Sequence, residues 1–197
     1  TSKSTRQFRS TLTSRSTSKS TSKLTSRLTF IGPIDVCISL DTKLMLASGE
    51  TMDARHVKVG DVLKGVDIEG MIDESDPRWE SWSTRYLENP RIKDVTVKHV
   101  RFGSFRAIYL VNNKLAITKQ HKVLAKHNGR WSWWDIRDIE LGDIMLDQNL
   151  GEVEVEKLDY LDGDVETVTI DVEESDTYFA GGLLVHNIPG GGSQVKR

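Results

Sequence analysis

The sequence predicts an all-β fold made of many short strands with non-local pairings. Three observations carry that expectation. Short apolar runs recur between Gly, Asn and Asp punctuation, and none extends into a long helical pattern. Val168, Ile170 and Val172 alternate with Thr167, Thr169 and Asp171, the period of a half-buried strand. Val57-Lys58-Val59-Gly60-Asp61-Val62-Leu63 is echoed by Ile139-Glu140-Leu141-Gly142-Asp143-Ile144-Met145. In both copies a Gly-Asp step suits a tight turn into a strand, so Asp61 and Asp143 are read as turn residues in two related halves.

The elements follow in order. Residues 43–47 and 51–53 flank Ser48-Gly49 and predict a hairpin. Further strands are expected at 95–100, 107–111, 115–118, 123–125, 152–158, 165–172 and 178–180. Helical turns are expected only near 78–88 and 135–139. The Trp-rich runs at 79–82 and 131–134 are read as core packing rather than a ligand platform.

Composition sets the organisation. The 197 residues suffice for one domain and a tail. Residues 1–30 are about half Ser and Thr, and carry seven basic residues and no acidic ones. The rest then holds 20 basic against 29 acidic residues, a net −9. With so few large apolar groups, the segment is expected to be disordered alone and to order only on a partner, an acidic protein surface or nucleic acid. Gly32-Pro33 marks its boundary. A single cysteine excludes an internal disulfide framework and a Cys-rich zinc site, and fits a reducing compartment. No apolar run reaches the roughly 18 residues of a membrane span, and the basic start lacks the apolar core of a secretory signal. The expected location is therefore cytoplasmic or virion-associated. A chain beginning at Thr1 is read as a fragment or processed product.

The chemistry-bearing residues are few. Cys37 opens Cys37-Ile38-Ser39-Leu40-Asp41-Thr42, Thr118-Lys119-Gln120-His121 lies mid-chain, and Val185-His186-Asn187 closes the patterned region. A thiol nucleophile, a Thr-x-x-His and a His-Asn pair can together break the chain's own peptide bonds. His56, His99 and His127 fall in no motif.

On these segments the chain resembles the Hint domains, the family of inteins, hedgehog autoprocessing domains and bacterial intein-like domains. Cys37 to Leu44 resembles the family's first block, and Leu115 to Leu124 the block carrying Thr-x-x-His. Asp171 to Asn187, with Gly181-Gly182-Leu183-Leu184-Val185-His186-Asn187, resembles the closing blocks. The resemblance implies a horseshoe-like all-β fold with two pseudo-symmetric halves. It divides the chain into an arm and upstream flank at 1–36, a processing domain at 37–187 and a downstream flank at 188–197. It implies no metal and no cofactor, and makes the domain's own flanks its substrate.

The resemblance also implies roles. Cys37 would attack the carbonyl of Val36 to form a thioester. His121 would protonate the departing Cys37 amine, with Thr118 holding the oxyanion or orienting the histidine. Asn187 would cyclise to a succinimide and break the bond to Ile188, with His186 polarising the carbonyl or protonating the leaving amine. Three positions depart from the family pattern. Ile188 has no nucleophile where splicing needs Cys, Ser or Thr, so cleavage is expected in place of efficient splicing, with water, an external thiol or an amine taking the thioester. Thr169 stands where many inteins carry an assisting Asp, and Asp171 lies two residues on, on the same strand face. Asp176 stands where a late histidine is common. The competing expectation is a catalytically weak Hint module with a structural or interaction role, for example in a phage particle or multidomain protein.

Overall fold

A computed structural model describes residues 36–173 and 175–187. The basic arm and the downstream flank, with Ile188 and Ser193, lie outside the described residues. Among the described residues the regular structure is β-strand, interrupted by three short 3-10 turns, as the sequence predicts.

Two sheets share the core. The first is ordered β12 (Leu158–Glu173), β1 (Ile38–Ser39), β7 (Leu115–Ile117), β6 (Glu88–Val111) and β4 (Val62–Glu69), and β12 also pairs directly with β6. The second runs β11 (Glu152–Glu154), β10 (Ile144–Leu146), β8 (Lys122–His127), β14 (Leu183–His186), β13 (Thr177–Ala180), β2 (Lys43–Met45) and β3 (Thr51–Asp53). On β8 lies β9 (Arg130–Asp135), and on β9 the short β5 (Ser83–Thr84). The main core gathers Ile38, Leu44, Leu63, Val123, Ile170 and Val185 between these layers. A second cluster gathers Trp82, Trp131, Trp133, Leu124, Phe179 and Leu184, so these tryptophans are core residues.

The Gly-Asp repeat is a structural repeat. Asp61 accepts the Lys58 N–H at 2.8 Å and Asp143 accepts the Glu140 N–H at 2.8 Å. Gly60 and Gly142 both sit at φ +91, where a side chain is disfavoured. Gly60 N–H reaches Val97 O, and Asp61 O takes Val97 N–H. In the second copy Gly142 and Asp143 make the same pair of bonds with Val155. Each turn follows a 3-10 turn, Ala54–His56 or Ile136–Asp138. Both aspartates are turn formers, as read from the sequence.

Several boundaries differ from expectation. The strands expected at 95–100 and 107–111 are one strand, because the exposed polar stretch between them stays paired to β12 as a two-stranded ribbon. Residues 101–106 are largely exposed and leave no alternating apolar signal. The expected strand at 152–158 splits into β11 and the start of β12, parted where residues 155–157 bond across to Asp143 and Asn112. The expected helical stretch at 78–88 contains only the 3-10 turn Trp79–Ser81 before β5 begins. Bonds from Trp82 Nε1 to Gly70 O at 2.9 Å and from Ser132 Oγ to Trp82 O at 2.6 Å fix that segment.

The closing hairpin positions the end of the domain. β13 and β14 pair from Thr177↔His186 to Ala180↔Leu183, leaving Gly181 and Gly182 as a two-residue turn. Both have positive φ, +57 and +77, as a tight hairpin turn requires. A Cβ on Gly181 would lie 2.5 Å from Lys114 O, so no side chain fits. A Cβ on Gly65 would lie 2.4 Å from Thr177 O, and Thr177 Oγ1 bonds both N–H and C=O of Val66. Glycine at 65 thus lets β13 lie hard against β4.

Candidate active site

Strand register places Cys37. In β1, Ile38 faces Ile117 of β7 on one side and Val168 of β12 on the other. Both pairings are antiparallel, so the residue before Ile38 meets the residue after each partner. Those residues are Thr118 and Thr169. Accordingly Cys37 N–H donates to Thr118 Oγ1 at 2.9 Å, and Cys37 Sγ lies 3.1 Å from Thr169 Oγ1. The Cys37 carbonyl accepts Thr118 N–H at 3.0 Å and meets His121 Nδ1 at 3.3 Å. Cys37 and Val36 are both buried.

The hydroxyl of Thr118, not the ring of His121, therefore contacts the amine that would depart. His121 reaches the next carbonyl. A carbonyl oxygen only accepts, so this contact puts the proton on Nδ1. Nε2 is then a bare lone pair, buried and without a hydrogen-bond partner among the described residues. Burial pushes the His121 ring down to about 4, against smaller upward effects of the Cys37 and His186 backbone. The ring is neutral at neutral pH, able to accept a proton but not carrying an extra one.

The Asn187 end is built differently. The Asn187 backbone N–H donates to Asp176 O at 2.8 Å. Its side-chain Nδ2 donates to Asp171 Oδ1 at 2.7 Å and to Val172 O at 3.2 Å. Its Oδ1 is buried with no partner among the described residues. His186 Nδ1 closes a short hydrogen bond to the Asn187 carbonyl, which requires Nδ1–H and polarises that carbonyl. The His186 ring stacks on Trp79, with centroids 4.5 Å apart and 15° between planes, and meets Trp133 edge-on at 4.8 Å. Burial pushes its pKa down to about 4.

Acidic groups surround this end. Burial, then Asp73 and Asp171, push Asp176 up to about 6. Glu74 is pushed up to about 8 by burial and by Asp176, Asp171 and Asp73. Lys98 opposes both shifts. His99 Nδ1 donates to Asp171 Oδ2 at 3.1 Å.

The structure thus brings Cys37, Thr118, His121 and Thr169 together, and His186, Asn187, Asp171 and Asp176 together, with His121 and His186 acting on each other where the sets adjoin. The two sets meet on β12. Thr169 and Asp171 lie on one strand face, roughly 6.6 Å apart along the strand, and one holds the thiol while the other holds the asparagine amide. Ile188 lies outside the described residues. Sequence reasoning missed His99, Glu74 and Trp79. Trp79 was legible only as a packing aromatic, and finding His99 needed the β6–β12 register that pairs it with Asp171.

No family model matches the sequence, and no curated protein matches it. Solved structures do match. A bacterial intein-like domain from Clostridium thermocellum superposes with a TM-score of 0.59 at 16% identity, over 78% of this chain and 99% of that one. The TvoVMA intein gives 0.58 at 14% identity, over 78% and 99%. A DnaB intein from Synechocystis sp. PCC 6803 gives 0.56 at 15% identity, over 78% and 99%. The described residues therefore have the fold of inteins and intein-like domains. It is the all-β Hint fold that the sequence resemblance implies.

Proposed function

We propose that this chain is a single-turnover self-processing domain that breaks peptide bonds at its own two ends. One observation carries the reading: Cys37 and Asn187, 150 residues apart in sequence, are held by residues two apart on one face of β12. A structural module has no evident need to bury a thiol and an asparagine amide there.

At the first junction, Cys37 Sγ loses its proton and attacks the Val36 carbonyl carbon. The Val36–Cys37 C–N bond breaks, the Cys37 nitrogen takes up a proton, and a thioester remains. Thr118 Oγ1 accepts the N–H of that nitrogen and so holds it in place as the bond breaks. Thr169 Oγ1 is placed to hold the thiol or thiolate. Water, an external thiol or an amine then takes the acyl group.

At the second junction, Asn187 Nδ2 attacks the Asn187 carbonyl carbon and gives up a proton toward Asp171. The bond to Ile188 breaks, its nitrogen takes up a proton, and Asn187 is left as a C-terminal succinimide. His186 Nδ1–H stabilises the oxygen as charge develops. The backbone bond from Asp176 fixes the asparagine in place. Ile188 offers no nucleophile to receive the thioester, so the two cleavages run separately and splicing is disfavoured.

Intact mass of the purified chain over time, with and without added thiol, tests the reading. Thiol-dependent loss of the segment ending at Val36, absent in Cys37→Ala, is expected. So is loss of the segment from Ile188, absent in Asn187→Ala. An unchanged mass under every condition would sink it.

A further inference from the structure

Asp171 has two oxygens and two different partners. Oδ1 takes the Asn187 Nδ2 hydrogen at 2.7 Å. Oδ2 takes His99 Nδ1–H at 3.1 Å. The first partner is buried, at 1% exposure. The second opens to solvent, its side chain 64% exposed while that of Asp171 is 11% exposed. The contact follows from strand pairing, since Asp171 and His99 are directly opposed in the β6–β12 ladder.

The ladder breaks immediately beyond this pair. The next opposed residues are Val172 and Val97, so Lys98 is an extra residue on β6. Bulges of this kind bend a strand and re-aim its side chains, and they recur beside functional sites. Here the bulge lies beside Asn187, and Lys98 acts electrostatically on Glu74 and Asp176.

We infer that His99 is a positioning residue for cleavage after Asn187: it holds the Asp171 carboxylate so that the opposite oxygen receives the Asn187 Nδ2 proton. The inference rests on the proposed Asn187 chemistry. His99 touches no reacting atom and acts through Asp171. Its ring links a buried carboxylate to water, as the outer partner of a His-Asp pair does elsewhere in reverse order. Asp171, Asp73 and Lys98 all act electrostatically on Glu74 and Asp176, so other charged groups share this environment. The His99 contribution is therefore read as a difference between variants and not from one profile.

The test uses the full chain as wild type, His99→Ala, His99→Gln and Asp171→Asn. Release of the segment from Ile188 is followed by intact mass between pH 5 and 9, with thiol-driven release of the segment ending at Val36 measured in the same samples. His99→Ala is expected to slow the Ile188 release roughly tenfold, the scale of losing an outer orienting partner. His99→Gln, which keeps an N–H donor, should recover most of the rate. Thiol-driven release should be unchanged in both. Wild-type rate and profile in His99→Ala would overturn the inference and leave the proposed function standing. Equal slowing of both cleavages would also overturn it, because it would mark a folding defect. If wild type itself releases nothing after Asn187, the proposed chemistry falls and the inference with it.

Discussion

The two ends of the domain meet on one strand but are solved with opposite chemistry. Cys37 is held by hydroxyls and backbone: Thr118 on its nitrogen and carbonyl, Thr169 on its sulfur. Asn187 is held by the Asp171 carboxylate, by a histidine wedged between tryptophans, and by the Asp176 backbone. A thiol is a strong nucleophile once ionised, so its site needs shape more than a dedicated base. An amide nitrogen is a poor nucleophile, so the proposed cyclisation needs both a proton acceptor and a polarised carbonyl. The pH sensitivity of the molecule is expected to follow that division.

The contrast breaks most directly at the nucleophiles. Asn187→Ala should reduce release of the segment from Ile188 to an undetectable level and leave thiol-driven release near wild type, by intact mass. Cys37→Ala should do the reverse. If either substitution abolishes both, the ends are one coupled site. One step back, Asp171→Asn should slow the Ile188 release by about a hundredfold, the usual scale for losing a positioned base. Thr169→Val should slow thiol-driven release by only about fivefold, the worth of one neutral hydrogen bond. Both are read from single-exponential rates. Equal effects of the two on one junction would erase the distinction.

Stability provides a subtler test. Gly181→Ala should lower the thermal midpoint by several degrees, because Cβ meets Lys114 O at 2.5 Å and φ is +57. Titration should act in two opposed windows. His121 and His186 have folded pKa values of about 4, below the usual 6.5. The unfolded chain then binds more protons between those values, so stability is present above 6.5 and is lost as pH falls toward 4. Glu74 is shifted the other way, from 4.5 to about 8. Its folded form binds the extra proton, so stability falls as pH rises through that window. Glu74→Gln should flatten the alkaline decline, by about 2–4 °C for a domain of this size, in a thermal melt series from pH 4 to 9.

Much of this was legible in the sequence. Cys37, Thr118, His121, His186 and Asn187 sit in motifs whose order along the chain mirrors their assembly, and the Gly-Asp repeat predicted both turns. Asp171 was visible as a same-face neighbour of Thr169, but not that the two would divide the thiol and the amide between them. That division depends on which residues oppose Ile38 across β7 and β12, and register is a property of pairs of strands. Glu74 and Trp79 come from an irregular segment with no periodic pattern, and they approach Asp171 and His186 only through the tertiary fold. Helical turns were overestimated at 78–88 because Trp82 and Ser83 are spent on contacts with Gly70 and β9 instead.

Strand β1 finds its neighbours in β7 and β12, and β2 finds one of its own in β13. The first strands of the domain are thus completed by nearly the last. Pairings so distant in sequence form slowly and only once both partners exist. A ribosome that has made Cys37 has therefore made a harmless cysteine. The thiol meets Thr169 only once β12 has been made, and the asparagine meets its carboxylate only after translation has passed Asn187. On the proposed chemistry, the fold is a timer that withholds the cut until the whole domain has been synthesised.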